Sequence, residues 1–124
     1  MIQGTHVEPE DLTATILAVV HLARRHLTLI SPVVEDAVMK VIREHVSDGV
    51  AIEVRSDARR RVQIIVADER VALWMSTSLT VVGTGVGRVE PEEGEEPRVP
   101  NVECGLVVEG VDAVEKLLAA ATMQ

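Results

Sequence analysis

The sequence predicts an α/β domain in which a mixed β-sheet is flanked by helices. Three observations lead there. Apolar residues recur at helical spacing in two early segments and one terminal segment, and runs rich in β-branched residues stand between them. Two of those runs are separated only by the polar turn Ala67-Asp68-Glu69-Arg70, the layout of a β-hairpin. At 124 residues the chain has the length of one domain with one core, so 1–124 is read as a single unit.

Each element has its own justification. Leu12, Ile16, Val19, Val20 and Ala23 form one apolar stripe, with Arg24 and Arg25 near the C-terminal end, where cations suit the helix dipole. Leu27-Thr28-Leu29-Ile30 reads as a strand. Ser31 then Pro32 reads as an N-cap followed by proline at the first helical position. On that second helix Val34, Val38, Val41 and Ile42 are expected inside and Glu35, Asp36, Lys40, Arg43 and Glu44 outside, with Gly49 as the stop. Val50 to Val54 is a strand, and Arg61–Val66 with Val71–Met75 form the hairpin. Val81 to Gly87, with glycines at alternate positions, is expected to be a flexible or bulged strand that another backbone approaches closely. From Glu90 to Pro100 the composition turns to Glu, Gly and Pro, which predicts a mobile acidic loop. A strand over Asn101–Val108 and a helix over Val111–Met123 close the chain.

Composition excludes several classes. Phe and Tyr are absent and Trp74 is the sole aromatic, so Val, Ile, Leu and Ala must fill the core and no aromatic platform exists for stacking on single strands. The net charge of −8 is opposite to the basic balance of a duplex-binding surface, so nucleic acid is not an expected partner. No apolar run approaches the roughly 20 residues of a membrane helix. The start, Met1 to His6, has neither a basic region nor an apolar signal core. One cysteine, Cys104, fits a reducing compartment, and a cytoplasmic location is expected. Abundant Glu, Arg and Val with few amides point to a heat-adapted source.

Order and motifs together resemble one repeat unit of the phospholipase D-like superfamily. In that family the first hairpin strand carries His-x-Lys-x4-Asp and the second ends in Gly-Ser-x-Asn. Here Arg61 stands at the His position, Gln63 at the Lys, Met75 at the Gly and Ser78 at the Asn, while Asp68 and Ser76 match. Val50-Ala51-Ile52-Glu53-Val54 is similar to the family's Val-rich strand, and Asn101-Val102-Glu103 to its closing Asn-x-Glu strand. The resemblance implies a mechanism that this chain has lost. The family's His attacks phosphorus, a second His protonates the leaving group, and Lys and Asn hold the phosphate oxygens. A guanidinium stays protonated and offers only donors, so Arg61 cannot perform either His role. The layout is also similar to the C-terminal effector domain of TrmB-like sugar-responsive regulators, which implies a small polar ligand. A helix-turn-helix and a coiled coil are missing, so such a sensor would signal through a protein partner.

What remains is a candidate polar pocket of Arg61, Gln63, Ser76, Ser78 and Glu103. Arg61 is suited to hold a carboxylate, phosphate or sugar hydroxyl, with Glu103 orienting it; the competing reading is a structural Arg61–Glu103 pair filling the space of the old site. Arg55, Arg59, Arg60 and Arg61 cluster in sequence, and Arg59 and Arg60 read as a solvated turn. His6, His21, His26 and His45 lack metal-ligand spacing, and no metal or cofactor is expected. His45 falls on the helical stripe and is expected to be partly buried. Cys104 reads as a small apolar strand residue, and Asp68 as an ordinary turn aspartate.

Two classes of function follow. One is a non-catalytic regulatory module binding a small polar or anionic ligand. The other is a homodimeric scaffold or interaction protein, since the family's catalytic members pair two such units; Val81–Gly87 or Trp74 would contribute to its contact surface. A phosphodiesterase or nuclease with relocated chemistry is the third and least supported alternative.

Overall fold

The computed structural model describes residues 4–56, 62–88, 93–94 and 103–122. The expected acidic loop at 90–100 lies outside the described residues apart from the exposed pair Glu93 and Gly94, as do Asn101 and Val102.

Eleven-residue α1 (Leu12–Leu22) opens the helical layer. It is preceded by a short strand β1 (Thr5–Val7) and a single 3-10 turn at Pro9–Asp11. The chain continues through β2 (His26–Ile30), α2 (Asp36–His45), β3 (Ala51–Arg55), β4 (Gln63–Ala67) and β5 (Val71–Met75). It ends with the one-turn α3 (Val81–Thr84), β6 (Gly105–Glu109) and α4 (Val111–Thr122). The described strands form one sheet in the order β1-β6-β5-β4-β2-β3. Only β2 and β3 run parallel; the remaining neighbours are antiparallel. The mixed sheet flanked by helices is the predicted fold class.

Strand alternation distributes the apolar residues between two cores. Leu27, Leu29, Ile65, Ala67, Leu73 and Met75 face α1 and α2, meeting Ile16, Val20, Val38 and Ile42. Ile30, Ile64, Val66, Ala72 and Val108 face the other way, meeting Val114 and Leu117 of α4. Trp74 is half-buried against this second core. Strands covered on both faces read as continuous apolar runs. Ile64-Ile65-Val66-Ala67 is such a run.

The stripe of α1 is as expected. In α2, Val38 and Ile42 are buried, with Met39 beside them and Val41 partly covered; Val34, expected on this helix, precedes it and bridges to Leu79. Four local expectations are corrected. The helix begins at Asp36, not after Ser31: the Ser31 hydroxyl donates to the Val33 carbonyl at 2.6 Å and accepts from the Leu79 N–H at 3.1 Å. A buried tie to a distant segment thus takes the oxygen that local capping would have used. The helix ends at His45, and Gly49 (φ 84°) instead completes a separate turn closed by the Val50 N–H donating to Ser47 O at 3.4 Å. His45 is exposed, since its place in the last turn lies beyond the edge of the core.

The fourth correction concerns Val81–Gly87, which is helix and turn, not strand. Thr80 caps α3 by accepting from the Gly83 N–H at 3.0 Å, and Gly85 (φ 75°) ends it in the left-handed conformation. Close approach is found, but at Gly83 it is made by a side chain: a Cβ there would stand 1.8 Å from Thr77 Oγ1 and 2.9 Å from its Cβ, whereas the neighbouring backbone comes near Gly87, where a Cβ would stand 3.3 Å from Ala37 O. Strand β1 was not expected; three residues are too few for an alternation signal.

The hairpin turn carries the densest polar contacts. Asp68 and Glu69 adopt φ of 53° and 59°, and the Arg70 N–H donates to Ala67 O at 3.0 Å, as in a type I′ turn. The Asp68 carboxylate accepts from the amides of Arg24 (2.8 Å), Arg25 (2.8 Å) and His26 (2.9 Å). It thereby pins the α1–β2 connection to the hairpin. Burial pushes its pKa up, but the three amide bonds outweigh that, with the Arg25 charge adding, and the net shift is below the ordinary value of 3.8.

Two expectations follow. Asp68→Asn lowers unfolding free energy at pH 7 by about 1–2 kcal/mol. Because the native pKa is depressed, Asp68 stabilises the fold above the unfolded-state pKa and ceases to as pH falls through the lower native value. The gap between wild type and Asp68→Asn in urea titrations therefore narrows below about pH 4. Gly83→Ala forces Thr77 to move and costs about 1–3 kcal/mol, read as a lower urea midpoint at unchanged slope.

Candidate functional site at one end of the sheet

Strand directions bring one set of ends together. The C-terminal ends of β2, β3 and β5 and the N-terminal ends of β4 and β6 share one rim of the sheet. Gln63 opens β4 opposite Met75, and Met75 is also paired with Gly105. Ser76 therefore leaves β5 beside Glu103 and Cys104 as they approach β6.

The strongest local constellation is built on the Ser76 hydroxyl. It donates to Glu103 Oε2 and accepts from the Cys104 N–H at 3.0 Å. The Ser76 N–H in turn donates to the Cys104 carbonyl at 3.0 Å. This zipper extends the β5–β6 ladder beyond its last regular pair and fixes the Glu103 carboxylate on the rim. Of the predicted site residues, Ser76 and Glu103 are thus brought into direct contact. Gln63 stands half-buried two strands from β6, and no hydrogen bond among the described residues joins it to the pair. Ser78 lies in the turn after β5, where its carbonyl accepts from Thr77 Oγ1 (3.0 Å) and the Thr80 N–H (2.8 Å). Arg61, with Arg59 and Arg60, lies outside the described residues, and so does the proposed Arg61–Glu103 pair.

Sequence reading missed three polar residues of this rim. Ser31 is buried at the end of β2, Thr77 follows Ser76, and the Ser56 hydroxyl donates to Pro32 O at 3.1 Å beyond β3. Their only signal was position: each follows the last residues of a strand. Asp68, the best match to the family motif, is at the far end of β4, roughly 16 Å of strand away from Gln63. Its role is to hold the scaffold together.

Three of the histidines are elsewhere. His21 and His45 occupy the last turns of α1 and α2, and His26 opens β2, all at the opposite end of the sheet. His6 is on the edge strand β1, one residue before Val7, whose pairing with Gly105 brings the end of β1 to this rim, and it is within 3.5 Å of Glu8. Among the described residues no three His, Cys, Asp or Glu side chains gather as a metal would require. Among them, too, no helix is long and apolar enough to cross a membrane.

Two solved structures share this architecture. NucT from Helicobacter pylori matches with a TM-score of 0.65 over 98% of this chain and 94% of its own, at 7% identity. Nuc from Salmonella typhimurium, a phospholipase D family member, matches with a TM-score of 0.56 over 97% of this chain and 91% of its own, at 11% identity. The fold is phospholipase D-like. At such identities the likeness is one of fold, and no family model or curated protein matches the sequence. Within a phospholipase D-like fold, the hairpin of β4 and β5 and the approach to β6 are the elements that the sequence resemblance had singled out.

Ser76→Ala removes both the acceptor for the Cys104 amide and the donor to Glu103. It should cost about 0.5–1.5 kcal/mol, and in a double-mutant cycle with Glu103→Gln the two losses should be non-additive.

Proposed function

We propose that this chain is a non-catalytic phospholipase D-like domain that binds a small polar or anionic ligand at the rim, as a regulatory module. The observation that carries the reading is the Ser76–Glu103 pair, anchored through the Cys104 amide at the end of β5, on the rim that Gln63 shares. A carboxylate held by a neighbouring hydroxyl is preorganised to orient ligand hydroxyls or amines. Arg61, two positions before Gln63 in the sequence, carries a guanidinium suited to a carboxylate or phosphate.

Loss of catalysis rests on residue chemistry. Arg61 replaces the nucleophile, Gln63 replaces the phosphate-holding Lys, and His21, His26 and His45 are at the other end of the sheet. The ligand class follows from the donors and acceptors: polyols, sugars, sugar phosphates or carboxylates.

The test is a thermal-shift series against sugars, sugar phosphates, nucleotides, phosphate and sulfate, run in parallel on Arg61→Ala and Glu103→Gln. A ligand that raises the melting temperature of the wild type and of neither variant supports the site. A ligand that stabilises all three alike binds elsewhere, and no response to any compound removes the ligand reading. Hydrolysis of bis(p-nitrophenyl) phosphate above the buffer rate, lost in Glu103→Gln, would instead establish relocated phosphodiesterase chemistry.

A further inference from the structure

Strand β3 ends the sheet order, and among the described residues no strand pairs with its outer side. Its hydrogen bonds to β2 reveal which groups that side presents. The Ala51 N–H donates to Arg25 O at 3.0 Å, and the Ser31 N–H donates to Arg55 O at 3.2 Å. Ala51, Glu53 and Arg55 therefore turn their peptide groups toward β2, and by the period of the strand Ile52, Val54 and Ser56 turn theirs outward.

Exposed edges are ordinarily blunted by Lys, Pro, a bulge or shortness. The opposite edge, β1, is three residues long. By contrast β3 is five residues long, pairs with β2 without a bulge, and has neither Lys nor Pro. Its charges are Glu53 and Arg55, of opposite sign, two apart and on one face, with Nε–Oε1 at 3.2 Å and side chains 42% and 53% exposed. On the other face Val54 is 44% exposed.

This pattern is self-complementary. We propose that β3 pairs antiparallel with β3 of a second copy about a two-fold axis at Val54, continuing the sheet from one copy into the other. Val54 then opposes the partner's Val54 as a hydrogen-bonded pair, since both carry outward peptide groups, and Ile52 exchanges hydrogen bonds with the partner's Ser56. Glu53 opposes the partner's Arg55, and Arg55 the partner's Glu53, in non-hydrogen-bonded positions where side chains approach most closely. Both exposed features of the strand, the charge pair and Val54, are satisfied together. Shifting the axis to Glu53 keeps the outward groups paired but sets Glu53 against the partner's Glu53, so charge selects the first register. The interface is isologous and closes at two copies.

A five-residue edge buries less than a standard interface, so the dimer should be weak and concentration-dependent, with Kd roughly micromolar or above. The experiment is light scattering on the full chain from about 1 µM to about 1 mM, with melting temperature recorded to establish that each variant folds. Wild type should rise from 13.4 kDa toward twice that mass. Val54→Pro removes an N–H that β2 does not use and should hold the chain at monomer mass while leaving it folded. Glu53→Arg and Arg55→Glu should each be monomeric, and the swapped double variant should recover the dimer. Wild type that stays monomeric throughout overturns the proposal, as does a dimer that persists in Val54→Pro. Failure of the folded double variant to recover overturns the register on which it rests. The readout is mass, so it stands or falls separately from the ligand reading.

Discussion

Strand β4 is the constraint on which the rest of the structure depends. Its five residues pair with β5, Ile64 to Ala67 pair also with β2, and both of its faces are covered. Ile65 and Ala67 belong to the core under α1 and α2, while Ile64 and Val66 belong to the core under α4. A one-residue slip would exchange these sets and break both cores at once. Register is thus fixed from two directions, and the type I′ turn with Asp68 fixes it from a third.

That rigidity determines where polar groups can be. With both faces covered, a polar side chain on β4 or β5 finds solvent only at the strand ends. At one end Asp68 gathers three amides of the α1–β2 connection. At the other, Gln63 opens β4 opposite Met75, and Ser76 meets the approach to β6, where its hydroxyl holds Glu103. The motif-like residues of the hairpin are therefore divided between two jobs at opposite ends of one strand. Asp68 secures the scaffold. Gln63 and Ser76 stand at the rim proposed as the ligand site.

The β2–β3 side of the molecule has a different logic. Helix α4 covers the strands toward β6, whereas β3 retains exposed residues on both faces, including Val54, Glu53 and Arg55. An edge of this kind favours pairing, and the placement of opposite charges two residues apart makes like-with-like pairing geometrically consistent. The proposed ligand pair Ser76–Glu103 and the proposed pairing residues Glu53, Val54 and Arg55 are on different strands, so the two proposals are compatible in one module.

The sequence by itself determined the fold class, the α1 stripe and the hairpin, because each is a local pattern: period 3.6, β-branched runs, and a polar turn of fixed length. It also determined that Arg61 cannot act as the family's nucleophile, which is a property of the guanidinium in any environment. Tertiary structure decided the rest. Ser31 looked like a helix cap until Leu79, far along the chain, claimed its hydroxyl, and Val81–Gly87 looked like a strand because glycines at alternate positions mimic a period of two. Asp68 passed for an ordinary turn residue because its partners are more than forty positions earlier. The sequence groups Ser76 and Glu103 in one candidate pocket, but their direct hydrogen bond follows only from the pairing of β5 with β6. For Ser31, Asp68 and Ser76 the deciding partner was distant in sequence, and a hydroxyl or carboxylate carries no local mark of which distant group it will bind.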